Sequence, residues 1–282
     1  MKISLIFALC CMSFAGLVRA TEGGGSNYLP GFYGDFAMAE FPEQGTFFNN
    51  FFAAYQDVDS QAGVLLEMPG IIHITQQKMF GGTYIAGLFP AFMAARDNAS
   101  GMDRAAMGDF YFVPGGLSWK LENFTAFLFE GVVAPTGYYR VSEFNLGRNY
   151  WTFDHNFLLT WRLPASNELS LAIGYMNNLK NPATNYQSGD EFHLDYTAGH
   201  YITDVLALGV AGSYYRQVNE DRAPRELPTN ESGENSTVGP VLMYTPKING
   251  QDVVFSVKWL REFNVSGRAP QEYLVGRVFL SF

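Results

Sequence analysis

The sequence predicts an all-β fold: a transmembrane antiparallel β-barrel of about twelve strands, with a short N-terminal plug or rim segment. Three observations carry this. In the last thirteen residues, Pro270–Phe282, Leu274, Val278, Leu280 and Phe282 fall on one face and Tyr273, Arg277 and Ser281 on the other. That period of two suits a strand with lipid on one side and a polar lumen on the other. A terminal strand with an apolar face would invite aggregation unless it pairs with the first strand, as barrel closure requires. Second, similar alternating segments recur along the chain. Third, apolar residues make up 48%, yet the best apolar stretch after the leader, Tyr84–Ala95, is short and contains Pro90, so no spanning helix is expected. Aromatics reach 16% beside 29 Gly and only 16% charged residues, as aromatic girdles and tight turns need.

In chain order, the first element reads as a secretory signal peptide at 1–20. Lys2 gives a positive start, Ile3–Val18 is apolar, and Val18-Arg19-Ala20 sets small residues for cleavage after Ala20. Cys10 and Cys11 leave with it, which removes disulfides, zinc thiolates and cysteine nucleophiles from the mature chain. The net charge of −9 argues against a nucleic-acid partner. A leader and plug segment is expected at 21–45, and the barrel at 46–282. Thr21–Asn27 is glycine-rich and flexible. Pro30–Pro42 carries Phe32, Tyr33, Phe36 and Ala37 at near-helical spacing, which reads as a short helical turn. It either tucks into the barrel mouth as a plug or lies as an arm on the periplasmic side, and the sequence leaves both open.

Strands are expected near 46–57, 69–79, 82–94, 108–119, 122–134, 149–163, 168–179, 189–201, 204–218, 236–246, 251–264 and 271–282. At 150–163, Trp151, Phe153, Phe157, Leu159 and Trp161 form an outer face opposed by Thr152, Asp154, Asn156, Thr160 and Arg162. At ~3.3 Å per residue and a tilt near 40°, Trp151 and Trp161 stand about 25 Å apart along the membrane normal, the height of an apolar band between girdles. His155 lies between them on the lipid side, which the pattern does not explain. Asn219–Asn235 reads as a long extracellular loop and Ala95–Met107 as a second.

Few constellations carry chemistry. Glu191, His193 and Asp195 share one strand face toward the lumen, a row able to bind a cation, poise a histidine or hydrogen-bond a phenolic hydroxyl. The ordinary reading, which the sequence favours, is a polar lumen wall whose charges are balanced by Arg162, Lys258 and Arg277. Met176, Tyr215 and Tyr273 are further expected inner contacts. His73 and His200 lack companions at metal spacing, and no metal or cofactor is expected. No Gly-x-Ser-x-Gly occurs, and no His stands near a Ser on one strand face, so no catalytic residues are assigned. Sequons at Asn98, Asn123, Asn230, Asn235 and Asn264 read as chance, because the mature chain lacks cysteine and two of them fall in strands.

Several stretches in order carry a family resemblance: Gly23–Ser26 with Tyr28–Asp35, Pro42–Gly45, Gly108–Pro114, Ala134–Tyr139, Asn145–Trp151, Thr184–Asp195, Val238–Pro240 and Trp259–Phe263. With these the chain resembles the outer-membrane family named for the meta-pathway of phenol degradation. The resemblance implies a Gram-negative outer-membrane barrel linked to aromatic catabolism. The expected function is therefore a passive channel for small hydrophobic or aromatic solutes, gated near Phe32–Phe36. A twelve-stranded barrel leaves little free space once side chains fill it, so a shaped path is expected rather than an open pore. The rival readings are a structural or surface-interaction barrel with a closed lumen and, behind it, an outer-membrane lipid-modifying enzyme. Expected partners are the lipid bilayer and lipopolysaccharide, small hydrophobic solutes, and the barrel-assembly machinery through the C-terminal strand.

Overall fold

A computed structural model of the chain describes residues 26–58, 62–141, 143–224, 233–266 and 270–281. The expected signal peptide and Phe282 lie outside the described residues, as does 225–232 of the expected long loop. The strands are β1 (Gly45–Asp57), β2 (Ala62–Met79), β3 (Gly82–Phe89), β4 (Phe92–Asp97) and β5 (Met102–Met107). They continue with β6 (Phe110–Lys120), β7 (Phe124–Ala134), β8 (Thr152–Leu163), β9 (Asn167–Asn178) and β10 (Glu191–Thr203). Last come β11 (Leu206–Gln217), β12 (Glu234–Tyr244), β13 (Lys247–Ile248), β14 (Gln251–Phe263) and β15 (Gln271–Ser281).

Neighbouring strands pair antiparallel, and β1 pairs with both β2 and β15, so the sheet closes on itself. β3 and β4 both pair with β2 and make one wall crossing, broken at Pro90-Ala91. Pro90 has no N–H for the ladder. β5 and β6 make the facing crossing, with a break at 108–109. With the two-residue β13 lying off the closed path, the wall is a twelve-strand antiparallel barrel. Each expected strand is present. The expected loop at Ala95–Met107 is not: β4 and β5 pair through it from Phe92↔Met107 to Asp97↔Met102, leaving a turn of 98–101. Its charges at Arg96, Asp97, Asp103 and Arg104 look like loop chemistry but lie on strands near the rim.

Short turns gather at one rim. Phe80-Gly81 and Asn249-Gly250 have φ of 50°, 79°, 51° and 83°, the positive values that tight hairpin turns require. The other rim carries the longer connections 135–151, 179–190 and 218–233. Leu65, Leu128, Phe157, Ile173, Val210, Trp259 and Leu274 stand exposed on the outer wall, with Trp151 and Trp161 on the same strand face. The lumen is filled instead. Residues 26–44 thread it lengthwise, from Ser26 beside Glu191 at the long-loop end of β10 to Gly45 at the short-turn rim. The expected helical turn is absent. The segment is a series of turns, with Phe32 N–H to Leu29 O at 3.0 Å and Glu40 N–H to Ala37 O at 3.0 Å. Positive φ at Gly31 (79°) and Ala37 (53°) breaks any helix. Gly31 is required twice over, because a Cβ there would also collide with Leu260.

Candidate functional site

The inserted segment is fastened to one side of the wall. Glu191, His193 and Asp195 are fully buried and face the lumen from β10. Glu191 accepts from Ser26 Oγ and from Asn178 Nδ2 (2.7 Å), and Asp195 Oδ2 accepts from the Tyr28 hydroxyl (2.9 Å). His193 Nε2 lies 3.0 Å from Asp154 Oδ1, and its ring stacks with Tyr28 (4.4 Å between centroids) and Tyr33 (5.6 Å). The imidazole occupies the space above Gly174 of β9, where any side chain would displace it. Tyr215 stacks on Tyr28 at 5.8 Å, and Met176 packs with both.

The three cations do not balance that row. Arg162 grips Glu40 of the inserted segment with two hydrogen bonds (2.8 and 2.5 Å) and Glu168 at 2.9 Å. Lys258, 1% exposed, donates to Gly34 O (2.6 Å) and pairs with Asp35 (3.1 Å), while Arg277 approaches Asp35 at 3.5 Å. Alternation placed these residues inward but held no information on which group each would meet. Burial alone would push the Asp35 carboxyl up; the Lys258 and Arg277 charges and the Ser256 hydroxyl outweigh it and hold it below the usual carboxylate range. Phe36, 1% exposed, lies on a bare patch of wall made by Gly199 of β10 and Gly209 of β11. Backbone donors of the segment are met as well: Ala37 N–H by Glu168 (2.6 Å) and Ala39 N–H by Thr160 (3.1 Å).

The opposite side of the lumen is apolar and incompletely filled. One cavity of about 120 Å³ lies toward the long-loop rim, lined by Tyr28, Leu29, Met68, Met93, Val133 and Met176 with Asp109, Arg148 and Asp154. A second, of about 90 Å³, lies toward the short-turn rim among Phe41, Phe51, Phe89, Phe127, Phe129 and Phe279. Phe32, Tyr33 and Tyr111 line both, so these three rings form the partition. Tyr33 is held in it by hydrogen bonds to the Tyr111 hydroxyl (2.8 Å) and Asp154 (3.0 Å). Among the described residues no group of three or more His, Cys, Asp or Glu is arranged to hold a metal.

The outer wall accounts for His155. Its Nδ1 lies 2.6 Å from Glu130 Oε2 and its Nε2 2.9 Å from Asn177 Oδ1, a polar trio across β7, β8 and β9. Cross-strand register brings the three together, which alternation within one strand does not reveal. His73 bonds the Thr46 hydroxyl (2.9 Å) and His200 lies beside Asn167 (3.1 Å). Sequence reasoning missed Tyr28, Asp35, Glu40 and Glu168 as partners, because their role depends on where an irregular segment docks.

A family profile described as "Putative MetA-pathway of phenol degradation" matches residues 49–277. The chain belongs to this family. Among solved structures, it is similar to an outer membrane channel from Pseudomonas putida F1, with 15% identity, 90% of this chain and 100% of that chain covered, and a TM-score of 0.75. That similarity shows a common fold. More distant matches are the NanC porin (11% identity, 83% and 98% covered, TM-score 0.47) and the CymD monoaromatic hydrocarbon channel (9%, 95% and 97%, 0.46). At these TM-scores neither bears on what this chain does. No curated protein matches the sequence.

Proposed function

We propose that this barrel is a passive outer-membrane channel for small hydrophobic or aromatic solutes, phenol-type compounds among them. The observation that carries the reading is the pair of largely apolar cavities in series, with Phe32, Tyr33 and Tyr111 lining both. A solute enters past the long loops, occupies the first chamber, displaces the Phe32–Tyr33 partition and leaves through the second. Each chamber is smaller than the roughly 150 Å³ apolar cavity that takes up benzene, so the path suits single rings after slight relaxation. The family's name, the likeness to the P. putida outer membrane channel and the exposed apolar outer wall all agree with this reading. Short turns at one rim and long loops at the other orient the barrel with the loops outside, facing lipopolysaccharide, and the C-terminal strand toward the assembly machinery.

A closed structural barrel is the competing reading, favoured by how firmly Asp35, Phe36 and Glu40 are held. Against a lipid-modifying enzyme stands the outer-face His155, whose hydrogen-bond partners are Glu130 and Asn177 rather than a serine. Uptake of labelled toluene into vesicles carrying the refolded chain separates these. The channel predicts uptake well above that of vesicles with an unrelated porin, and a return toward background in Val133→Phe, which fills the first chamber. Uptake at the unrelated porin's level would leave the closed barrel standing.

A further inference from the structure

We propose that the second chamber is a subsite selective for aromatic rings that carry a hydroxyl group, with Asn49 and Arg277 as its polar anchor. This rests on the channel reading and adds the feature that sorts its solutes. The chamber is aromatic on nearly every side, yet two polar atoms in it are left without hydrogen-bond partners. Asn49 lies on the inner face of β1 between Phe47 and Phe51, only 4% exposed, and its Oδ1 is buried with no hydrogen bond. Arg277 faces the same chamber from β15, and its Nε is likewise buried and unbonded. Its Nη1 reaches toward Asp35 at 3.5 Å, and its guanidinium carbon sits 5.4 Å from the centre of the Phe279 ring.

The register makes the two groups neighbours. Asn49 pairs with Phe279, and Phe51 pairs with Arg277, so Asn49 and Arg277 stand diagonally across the β1–β15 seam. Diagonal positions lie about 7–8 Å apart at the backbone, within reach of long side chains. Buried polar groups are nearly always bonded, and those left open concentrate where a ligand or water completes them. One group is an acceptor and the other a donor. A hydroxyl meets both at once, donating to Asn49 Oδ1 and accepting from Arg277 Nε–H, while the ring fills the space among the phenylalanines.

Other chemistries fit worse. A hydrocarbon ring leaves both groups unmet, and a site built to bond a hydroxyl discriminates against the analogue that lacks it. An aryl carboxylate would satisfy Arg277 but would face Asn49 Oδ1 and the Asp35 and Glu40 carboxylates that line the same chamber. The remaining occupant is water, which would complete the two groups without selecting any solute.

The test is equilibrium binding of phenol, toluene and benzoate to the refolded full barrel in detergent micelles, with protein-free micelles as the blank. The wild type, Asn49→Leu and Arg277→Lys are compared, the lysine keeping the charge beside Asp35 while deleting Nε–H. The expected result is a fall of about tenfold in the phenol-to-toluene affinity ratio in each variant, as one net hydrogen bond lost to a charged or polar partner implies. Benzoate is expected to bind more weakly than phenol to the wild type. A ratio that stays put in both variants means the groups hold water alone and overturns the subsite; benzoate binding as well as phenol overturns it too. Toluene uptake by wild-type vesicles is read separately, so a barrel that transports toluene but shows a constant ratio loses the subsite and keeps the channel.

Discussion

From β8 round to β14, the inner wall presents Asp154, Thr160, Arg162, Glu168, Glu191, His193, Asp195, Thr237, Ser256, Lys258 and Glu262. From β15 through β1 to β7 it presents Phe279, Phe47, Phe51, Met68, Ile72, Ile85, Phe89, Val113, Phe127, Phe129 and Val133, with Asn49 and Arg277 as the polar exceptions facing the second chamber. Both halves face the same lumen, but residues 26–44 make their charged contacts chiefly with the first. Charges buried in a barrel are costly unless paired, so the polar half demands a partner and the inserted segment supplies it. The apolar half has less of that demand; the second cavity lies along it, and the first lies between it and Asp154 and Met176 of the other half. One half-wall therefore anchors the segment and the other leaves room for a solute, a division of labour that a uniformly polar lumen would not allow.

The hardest blow to this arrangement is Lys258→Met. It leaves the buried Asp35 carboxylate only the Ser256 hydroxyl and the more distant Arg277, and breaking a buried ion pair typically costs about 3–5 kcal/mol. The segment should leave the polar half, seen as protease cleavage within 26–44 at neutral pH while the barrel resists; a segment that stays protected would show that the ion pair does not anchor it. Gly209→Val comes next. A side chain there meets the Ala198 carbonyl oxygen and Gly199 Cα of β10 as well as the Phe36 ring, and overpacking of this kind costs about 1–3 kcal/mol. The expected outcome is loosening of the same segment at a lower temperature than in the wild type, read by the same cleavage assay, with no change if Phe36 has another seat.

Acid sharpens the comparison further. The Asp35 carboxyl is held below its ordinary value, so its stabilising share is complete above the unfolded carboxylate pKa of about 3.9 and is lost as pH falls through the lowered folded value. Pepsin cleavage between 26 and 44 should therefore begin only below about pH 4; release at pH 5–6 would point to a different titrating group. The smallest change in stability belongs to Phe32→Ala, part-way along the segment between the two chambers and away from the ion pairs. It should leave the segment docked yet merge the two chambers, raising toluene flux several-fold. An unaltered flux would place the barrier elsewhere.

The strands were legible because lipid outside and filled lumen inside impose a period of two. Trp151, His155 and Trp161 stand where alternation put them, and so do Glu191, His193 and Asp195. The pairings were not legible. His193 meets Asp154 through the β8–β9–β10 register, and Lys258 meets Asp35 across 223 residues of chain, separations that no local pattern encodes. Alternation runs one strand through Pro90 over 82–94 and does not reveal the break there, and the charged hairpin at 95–107 reads as loop because rim residues share loop composition. Spacing alone predicts a helical turn at 30–42, whereas positive φ at Gly31 and Ala37 bends the segment to follow the wall.

The central claim, a shaped aromatic path beside a fixed segment, is tested most directly by current through planar bilayers containing the refolded barrel, with and without added phenol or toluene. The account predicts a small current that the aromatic blocks at concentrations leaving an unrelated porin untouched. A large steady current indifferent to both compounds would contradict it, since the lumen would then be an open aqueous pore.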